Sequence, residues 1–245
     1  MSAAVRTAID VVLPVFNGSA FVTRALDSVC AQEPHAELGG WDLRIHVIND
    51  ASTDESGQVL ADYAARVSAP EVHLRITTNE TNRGVAHSRN VGIAAGTAPF
   101  VAFIDQDDEW VANKLALQIA ALEADPSLGY AVGQQEFIIQ PGQTRPAWCR
   151  EEWLTQTVAG FVPSALVVRR EVFGTVGVMD STVIAGGDDS DWFARARTLN
   201  VPFWDDPHCM VNRYVHEHNA SGDIDTSNQA LLDVVRRHVE RKLSS

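Results

Sequence analysis

Cysteine is sparse in this chain, at three positions in 245 residues. Cys30, Cys149 and Cys209 fit neither a zinc spacing nor an even disulfide framework, so they read as reduced thiols, with Cys30 in the core, and no redox chemistry follows. Long apolar runs are also missing. None approaches the roughly 20 residues needed to cross a bilayer, and the segment from Met1 to Thr7 lacks the charged and apolar regions of a signal peptide. The expectation is a cytoplasmic protein without a transmembrane segment, membrane-peripheral at most. Positive charge is in deficit: 19 Lys and Arg against 32 Asp and Glu leave a net charge of -13. That balance opposes the counterion displacement on which sequence-independent nucleic-acid binding depends, so no nucleic-acid partner is expected. Internal repeats and low-complexity segments are absent. After the first strand a single glycine, Gly18, stands where a nucleotidyltransferase or a dinucleotide-binding dehydrogenase carries a glycine-rich loop.

What is present is an alternation of strand and helix patterns. Ile9 to Val15 is a largely apolar run rich in β-branched residues, as a strand buried on both faces reads. Asn17, Gly18 and Ser19 make a turn with Ser19 as helix cap, and Phe21, Val22, Ala25, Leu26, Val29 and Cys30 share one helical face. A strand from Leu43 to Asn49 with its helix, a strand from Val72 to Thr77, a loop from Asn79 to Gly84, a helix from Val85 to Ala95 and a strand from Phe100 to Ile104 extend the pattern. It predicts an α/β fold with a Rossmann-like, mostly parallel sheet flanked by helices and joined by right-handed crossovers. Every strand-to-helix turn then opens on one edge. After a helix carrying Leu115, Leu117, Ile119 and Leu122 and a strand from Gly129 to Ile139, the pattern loosens into a mixed second half. The tail from Ser227 to Leu243 is an amphipathic helix.

Three acidic turns stand out: Asp50 with Asp54, Asp105 with Asp107 and Asp108, and Asp188 with Asp189 and Asp191. A lone aspartate at a turn is ordinarily a helix cap or an Asx turn, which is the reading for Asp54. Capping needs one carboxylate and not three, so the cluster at 105–108 repels itself unless a cation sits in it. Hard divalent ions take one or two carboxylates and complete their shell with substrate phosphates, and open α/β sheets bind ligands at this edge. The partner implied is a metal-bound nucleotide diphosphate. The 188–191 cluster is ambiguous by itself, because helix N-termini attract acidic side chains.

The order of these segments carries a resemblance. Val12 to Gly18, His46 to Asp54, the set Asn82, Gly84, Ala86, Arg89, Asn90, Gly92 and Gly96, the Asp105-Gln106-Asp107 triplet, Gly187 to Asp191 and Tyr214 to Ser221 together resemble the family 2 inverting glycosyltransferases of GT-A fold. The resemblance implies one domain over 1–245, with a nucleotide-sugar-binding half over about 9–110, an acceptor and catalytic half over about 111–225, and a C-terminal helix over 226–245. It implies transfer of a sugar from a nucleotide-diphosphate sugar, typically a UDP-sugar, to the hydroxyl of a saccharide, lipid-linked glycan, peptide or small molecule. By the same resemblance Pro14, Val15, Phe16 and Asn17 line the base pocket and Asp50 bonds the base. Asn82 and Gln106 belong to the same nucleotide-sugar loops, Arg89 lies near the base or diphosphate, and Asp105 faces the ribose and sugar. Asp107 holds Mn²⁺ or Mg²⁺ against the diphosphate, and His216 contacts the metal or the diphosphate. Asp189 is the base, Asp188 the neighbouring acid that raises its pKa, and Asp191 the alternative base if the register is shifted by two.

Four positions depart from the family pattern: Asn49 for an acid, Ala51 for a glycine, Phe16 for a tyrosine and Tyr214 for an arginine. Trp148 and Trp153 fall in the acceptor half, with core packing favoured over a sugar-stacking role. The tail helix either docks on the domain or forms a homodimer, and Arg236, Arg237, Arg241 and Lys242 offer a membrane contact; packing is again favoured. The competing reading is a catalytically weak nucleotide-sugar-binding module or scaffold of a glycan-assembly complex.

Overall fold

Buried apolar strands alternate with amphipathic helices through the first hundred residues. The computed structural model describes residues 6–33, 40–183, 186–216, 219 and 224–244. In chain order these form β1 (Thr7–Val15), α1 (Val22–Cys30), β2 (Trp41–Asn49), α2 (Ser56–Arg66), β3 (Val72–Thr78), α3 (Val85–Ala95), β4 (Phe100–Phe103) and β5 (Asp108–Trp110). There follow α4 (Lys114–Ala124), β6 (Tyr130–Ile139), β7 (Val158–Ala159), β8 (Val167–Arg169), α5 (Val172–Val176), α6 (Asp188–Thr198), β9 (Phe203–Val215) and α7 (Ile224–Ser244). Among the described residues no helix is long and apolar enough to cross a membrane.

The strands join in one sheet of order β3-β2-β1-β4-β8-β6-β9-β5, with β7 beside β6. The first four are parallel, and the remainder is mixed: β8 runs antiparallel to β4 and β6, while β9 is parallel to β6 and antiparallel to β5. Period-two alternation divides each central strand between two apolar layers. Ile9, Val11, Leu13 and Val15 of β1, with Phe100 and Ala102 of β4, pack with residues of α1, α2 and α4; Val12, Val101 and Phe103 face the opposite layer with α3, α5 and α6. This double burial explains why β4 and the Val11–Val15 part of β1 are unbroken apolar runs.

The parallel register brings the ends of β1, β2, β3 and β4 to a common edge. Strand direction brings two later segments there as well. β8 runs against β4, so Ser164, just before β8, reaches the β4 end, where its hydroxyl accepts from the Asp105 N–H at 3.0 Å. β9 runs with β4 and delivers His216. At the far edge the fully buried Asp10 is clamped by Arg170 (2.5 Å), the Ala98 N–H (2.7 Å) and His46 (3.0 Å). Burial alone would raise its pKa, but these partners hold it below the usual carboxylate range.

Two local expectations change. Ser19 does not cap α1: its N–H donates to Asp54 Oδ2 at 3.1 Å, and the helix starts from the Gly18 carbonyl, which accepts from Phe21 and Val22. The strand expected from Phe100 to Ile104 ends at Phe103, although Ile104 remains buried.

Candidate active site

The loops after β1, β2 and β4 are locked together by side chains that a local pattern does not reveal. Asn17, with a left-handed φ of 49°, accepts through Oδ1 from the Thr53 N–H at 2.8 Å and the Asp54 N–H at 3.4 Å. Its own N–H donates to Ser52 Oγ at 3.0 Å. Gln106 grips the Phe16 backbone twice: the Phe16 N–H donates to Gln106 Oε1 (2.9 Å), and Gln106 Nε2 donates to the Phe16 carbonyl (3.1 Å). A Cβ on Gly18 would lie 2.2 Å from Gln106 Oε1, so glycine is what lets this amide in. Asp54 accepts from the Ser19 and Ser56 N–H groups. Despite some burial those hydrogen bonds pull its pKa down to about 2, consistent with the turn role expected of it.

Several sequence-derived residues sit differently from expectation. Pro14 and Val15 are buried within β1, and Val15 packs in the core. Phe16, 43% exposed, and the exposed Asn17 stand at the edge. The Asp50 carboxylate is buried and accepts from Asn79 Nδ2 (2.7 Å), the Gly84 N–H (2.7 Å) and the Arg83 N–H (3.0 Å). Three donors organise it as the anchor of the loop after β3. Asn82 accepts from the Gly84 N–H at 3.1 Å, an Asx turn in the same loop. Beside this knot an open cleft of about 480 Å³ is lined by Thr78, Asn79, Glu80, Thr81, Arg83 and His87. None of the acids at 105, 107 or 189 lines it.

Asp107 and His216 do meet. His216 Nε2 stands 3.2 Å from Asp107 Oδ2, and Phe21 stacks on the imidazole with centroids 4.5 Å apart. Asn219 completes the knot: its Nδ2 donates to Asp107 Oδ2 at 2.9 Å, and its Oδ1 accepts from the His216 N–H at 2.6 Å. Of the segment from Tyr214 to Ser221, residues 217, 218, 220 and 221 lie outside the described residues. Burial works against the Asp107 charge, but the His216 contact and the Arg213 cation hold its pKa below the usual range. Neighbouring Asp108 is pushed up by burial and by the Asp107 charge, so it serves the turn as a buried group bonded to Ser164. Among the described residues no cluster of three or more His, Cys, Asp or Glu could hold a metal. One carboxylate beside one imidazole nevertheless fits a divalent ion that takes its other ligands from substrate phosphates and water.

The third acidic turn is tied to the second by Arg89. Its buried guanidinium donates to Asp105 Oδ1 at 2.6 Å and to Asp188 Oδ2 at 2.7 Å. Rather than standing open toward a base or phosphate, Arg89 bridges two carboxylates. Burial opposes its charge, yet Asp105, Asp188 and Asp189 hold its pKa above the ordinary arginine value. Asp189 follows on the first turn of α6 and accepts from the Ser190 N–H at 2.6 Å. Burial first, and the Asp188 charge second, push its pKa up to about 6, which suits a group that takes a proton near neutral pH. Asp191 is a correction. Its two oxygens are engaged by Arg195 and Arg241, each at 2.7 Å, so the alternative base is committed to α6 and α7.

Sequence reasoning missed Arg24. Its guanidinium lies over the Tyr214 ring, 3.5 Å from the centroid, and donates to the Asp107 carbonyl at 3.0 Å. Tyr214, found where an arginine was expected, thus carries a cation on its face from α1, while its hydroxyl donates to Glu109 at 2.7 Å. The only local hint was the departure at position 214. Trp153 stacks on Phe137 at 5.2 Å and Trp148 packs in the same small cluster, as the core-packing reading expected.

Comparison with known proteins places this geometry. The model of the family described as "Glycosyl transferase family 2" matches residues 10–177. A relative from Escherichia coli, UDP-Glc:alpha-D-GlcNAc-diphosphoundecaprenol beta-1,3-glucosyltransferase WfgD, is 26% identical over 130 residues, covering 53% of this chain and 46% of its own length. The uncharacterized glycosyltransferase EpsJ of Bacillus subtilis is 29% identical over 100 residues, 41% of this chain and 26% of its own. The chain therefore spans half or less of these relatives. Among solved structures, S. aureus TarS 1-349 in complex with UDP superposes with a TM-score of 0.62 at 17% identity, over 93% of this chain and 65% of that one. The mannosyltransferase PcManGT from Pyrobaculum calidifontis, in complex with GDP-Man and Mn2+, gives 0.72 at 20% identity, over 97% and 66%. At such identities the likeness shows a shared GT-A fold.

Proposed function

The chain belongs to glycosyl transferase family 2, and from that membership and the geometry of the acidic edge we propose a metal-dependent, inverting transfer of a sugar from a nucleotide-diphosphate sugar to an acceptor hydroxyl. The observation that carries this reading is the Arg89 bridge. It joins Asp105, on the strand-end loop of the metal-site acid Asp107, to Asp188, beside the raised-pKa carboxylate Asp189. Support for uridine as the nucleotide comes from the TarS complexes with UDP and UDP-GlcNAc and from the name of the Escherichia coli relative. That relative's name also makes a lipid-linked saccharide the first acceptor class to try.

In this mechanism the acceptor O–H proton passes to Asp189. The acceptor oxygen attacks the anomeric carbon from the face opposite the leaving group, the bond from that carbon to phosphate oxygen breaks, and its electron pair departs with the nucleoside diphosphate. One displacement on opposite faces inverts the centre. Asp105, held by Arg89, orients the ribose and sugar. Asp107 and His216 would hold Mn²⁺ or Mg²⁺. When bound, the ion supplies neutralising charge for the departing diphosphate. The knot of Asn219, Phe21 and Arg24 keeps the Asp107 and His216 side chains in place.

Calorimetry with UDP, GDP and their sugars, with and without Mn²⁺, tests the binding half. Binding that needs metal and falls more than tenfold in Asp107→Ala is expected; unchanged affinity and metal independence would overturn the assignment of that carboxylate. Slow nucleotide-sugar hydrolysis by the wild type, lost in Asp189→Asn with donor binding retained, tests the catalytic half. Donor binding with no turnover under any donor would favour the binding-module reading instead.

A further inference from the structure

Helix α7 carries an apolar stripe that stays exposed among the described residues. Its inner face is accounted for: Ala230 and Val234 are buried, Arg241 reaches Asp191 at 2.7 Å, and Arg237 is held by Asp233 (2.7 Å), Thr182 (3.0 Å) and Asp180 (3.2 Å). At about 3.6 residues per turn, the opposite face presents Leu231, Leu232, Val235, Val239 and Leu243. Their exposures are 56%, 69%, 52%, 49% and 84%. Together they are five of the eight large apolar side chains exposed among the described residues. A strip of this kind on a single helix marks an interaction site.

The sequence of the strip says what covers it. Leu231, Val235, Val239 and Leu243 are spaced four residues apart, and the order Leu, Val, Val, Leu reads the same in both directions. A twofold axis requires a self-complementary surface. Two copies of α7 laid antiparallel about an axis at position 237 set Leu231 of one against Leu243 of the other, and Val235 against Val239. The charged rim obeys the same symmetry. Arg236 and Glu240, whose side chains are 68% and 67% exposed, lie 4.0 Å apart on one rim, and across the axis each meets the opposite charge of the second copy. An anionic bilayer fits less well, because Arg237 and Arg241 are turned inward onto carboxylates and the chain carries a net charge of -13.

We propose that α7 forms the contact of an antiparallel, twofold dimer of this chain, built on the stripe from Leu231 to Leu243. This surface is separate from the acidic edge and does not depend on the glycosyltransferase reading. The helix has 21 residues, about 30 Å of length, and one helix pair buries less than the roughly 800 Å² per partner of a standard interface. Such a small contact makes a reversible, concentration-dependent dimer the expectation.

Sedimentation velocity of the full chain from about 1 to about 200 μM tests this. The expected result is a concentration-dependent rise from monomer to dimer mass, abolished by Val235→Glu with helix content and nucleotide binding unchanged. Register is read by cysteine pairs: an equimolar mixture of V235C and V239C chains cross-links on mild oxidation, and neither variant does so alone. Charge is read by R236E and E240R, each of which weakens association several-fold, while their equimolar mixture and the double variant R236E/E240R recover it. A monomer at every concentration overturns the proposal, as does efficient cross-linking of V235C with itself. Monomeric binding to phosphatidylglycerol-containing vesicles, lost in Val235→Glu, would also overturn it by giving the stripe to a membrane.

Discussion

The guanidinium of Arg89 lies 2.7 Å from the carboxylate of Asp188, a residue 99 positions further along the chain, while its other terminal nitrogen is 2.6 Å from Asp105. One buried cation thereby fixes the spacing between the strand-end acids and the α6 acids. Removing it leaves carboxylates buried without their partner. Arg89→Ala is expected to lose about 3–5 kcal/mol of stability, read as a lower urea midpoint. Arg89→Lys keeps a charge but not the two-pronged geometry, so it is expected to fold with a smaller loss and to show reduced kcat at nearly unchanged donor affinity. Equal activity of Arg89→Lys and the wild type would show that the two-carboxylate bridge has no part in positioning.

In the proposed mechanism Asp189, as the base, sets the pH dependence. With its pKa pushed up to about 6 by burial and by Asp188, kcat/KM is expected to fall tenfold per pH unit below about pH 6, because the base must be ionised. Stability runs the other way. A carboxyl whose folded pKa lies above its unfolded value of about 3.9 contributes stability that is full below that value and is lost as pH rises through about 6. Asp189→Asn, which cannot ionise, is therefore expected to be about 1–2 kcal/mol more stable than the wild type at pH 7–8, solvent screening included, and equal to it near pH 4. Denaturant titrations at both pH values check the sign.

Gly18 and Gln106 act as one unit. Gly18→Ala would drive a Cβ into the Gln106 amide and displace it from Phe16, so it is expected to reproduce Gln106→Ala: a several-fold higher donor KM and about 1 kcal/mol of lost stability for the broken hydrogen bonds. The double variant should be no worse than either single one. Additive losses in a double-mutant cycle would separate the two positions.

Ala51 holds a φ of 58°, in the left-handed region where an L side chain is strained by about 1–2 kcal/mol. The resemblance gave this position to glycine. Ala51→Gly is expected to raise stability by about 0.5–1 kcal/mol, part of the relieved strain being offset by greater freedom of the unfolded chain. Thermal or urea unfolding reads the change, with turnover unaltered.

The β-α alternation, the parallel edge and the grouping of acids at 50, 105–108 and 188–191 were legible in the residues. Apolar period, turn chemistry and charge density are local properties, and a parallel sheet then brings its strand ends together by construction. The sequence by itself determined that Asp105 and Asp107 would stand at the carboxyl edge of a parallel sheet, since a buried apolar strand must end before such charge. Only the tertiary structure decided what each acid touches there. Asp189 and Asp191 differ by two positions on one helix, yet Asp191 meets Arg195 and Arg241 while Asp189 does not share them. Arg24 on the face of Tyr214, Gln106 on the Phe16 backbone and Asp50 filled by the loop after β3 are likewise contacts between distant segments. They depend on strand register and helix rotation in three dimensions, which no window of sequence contains.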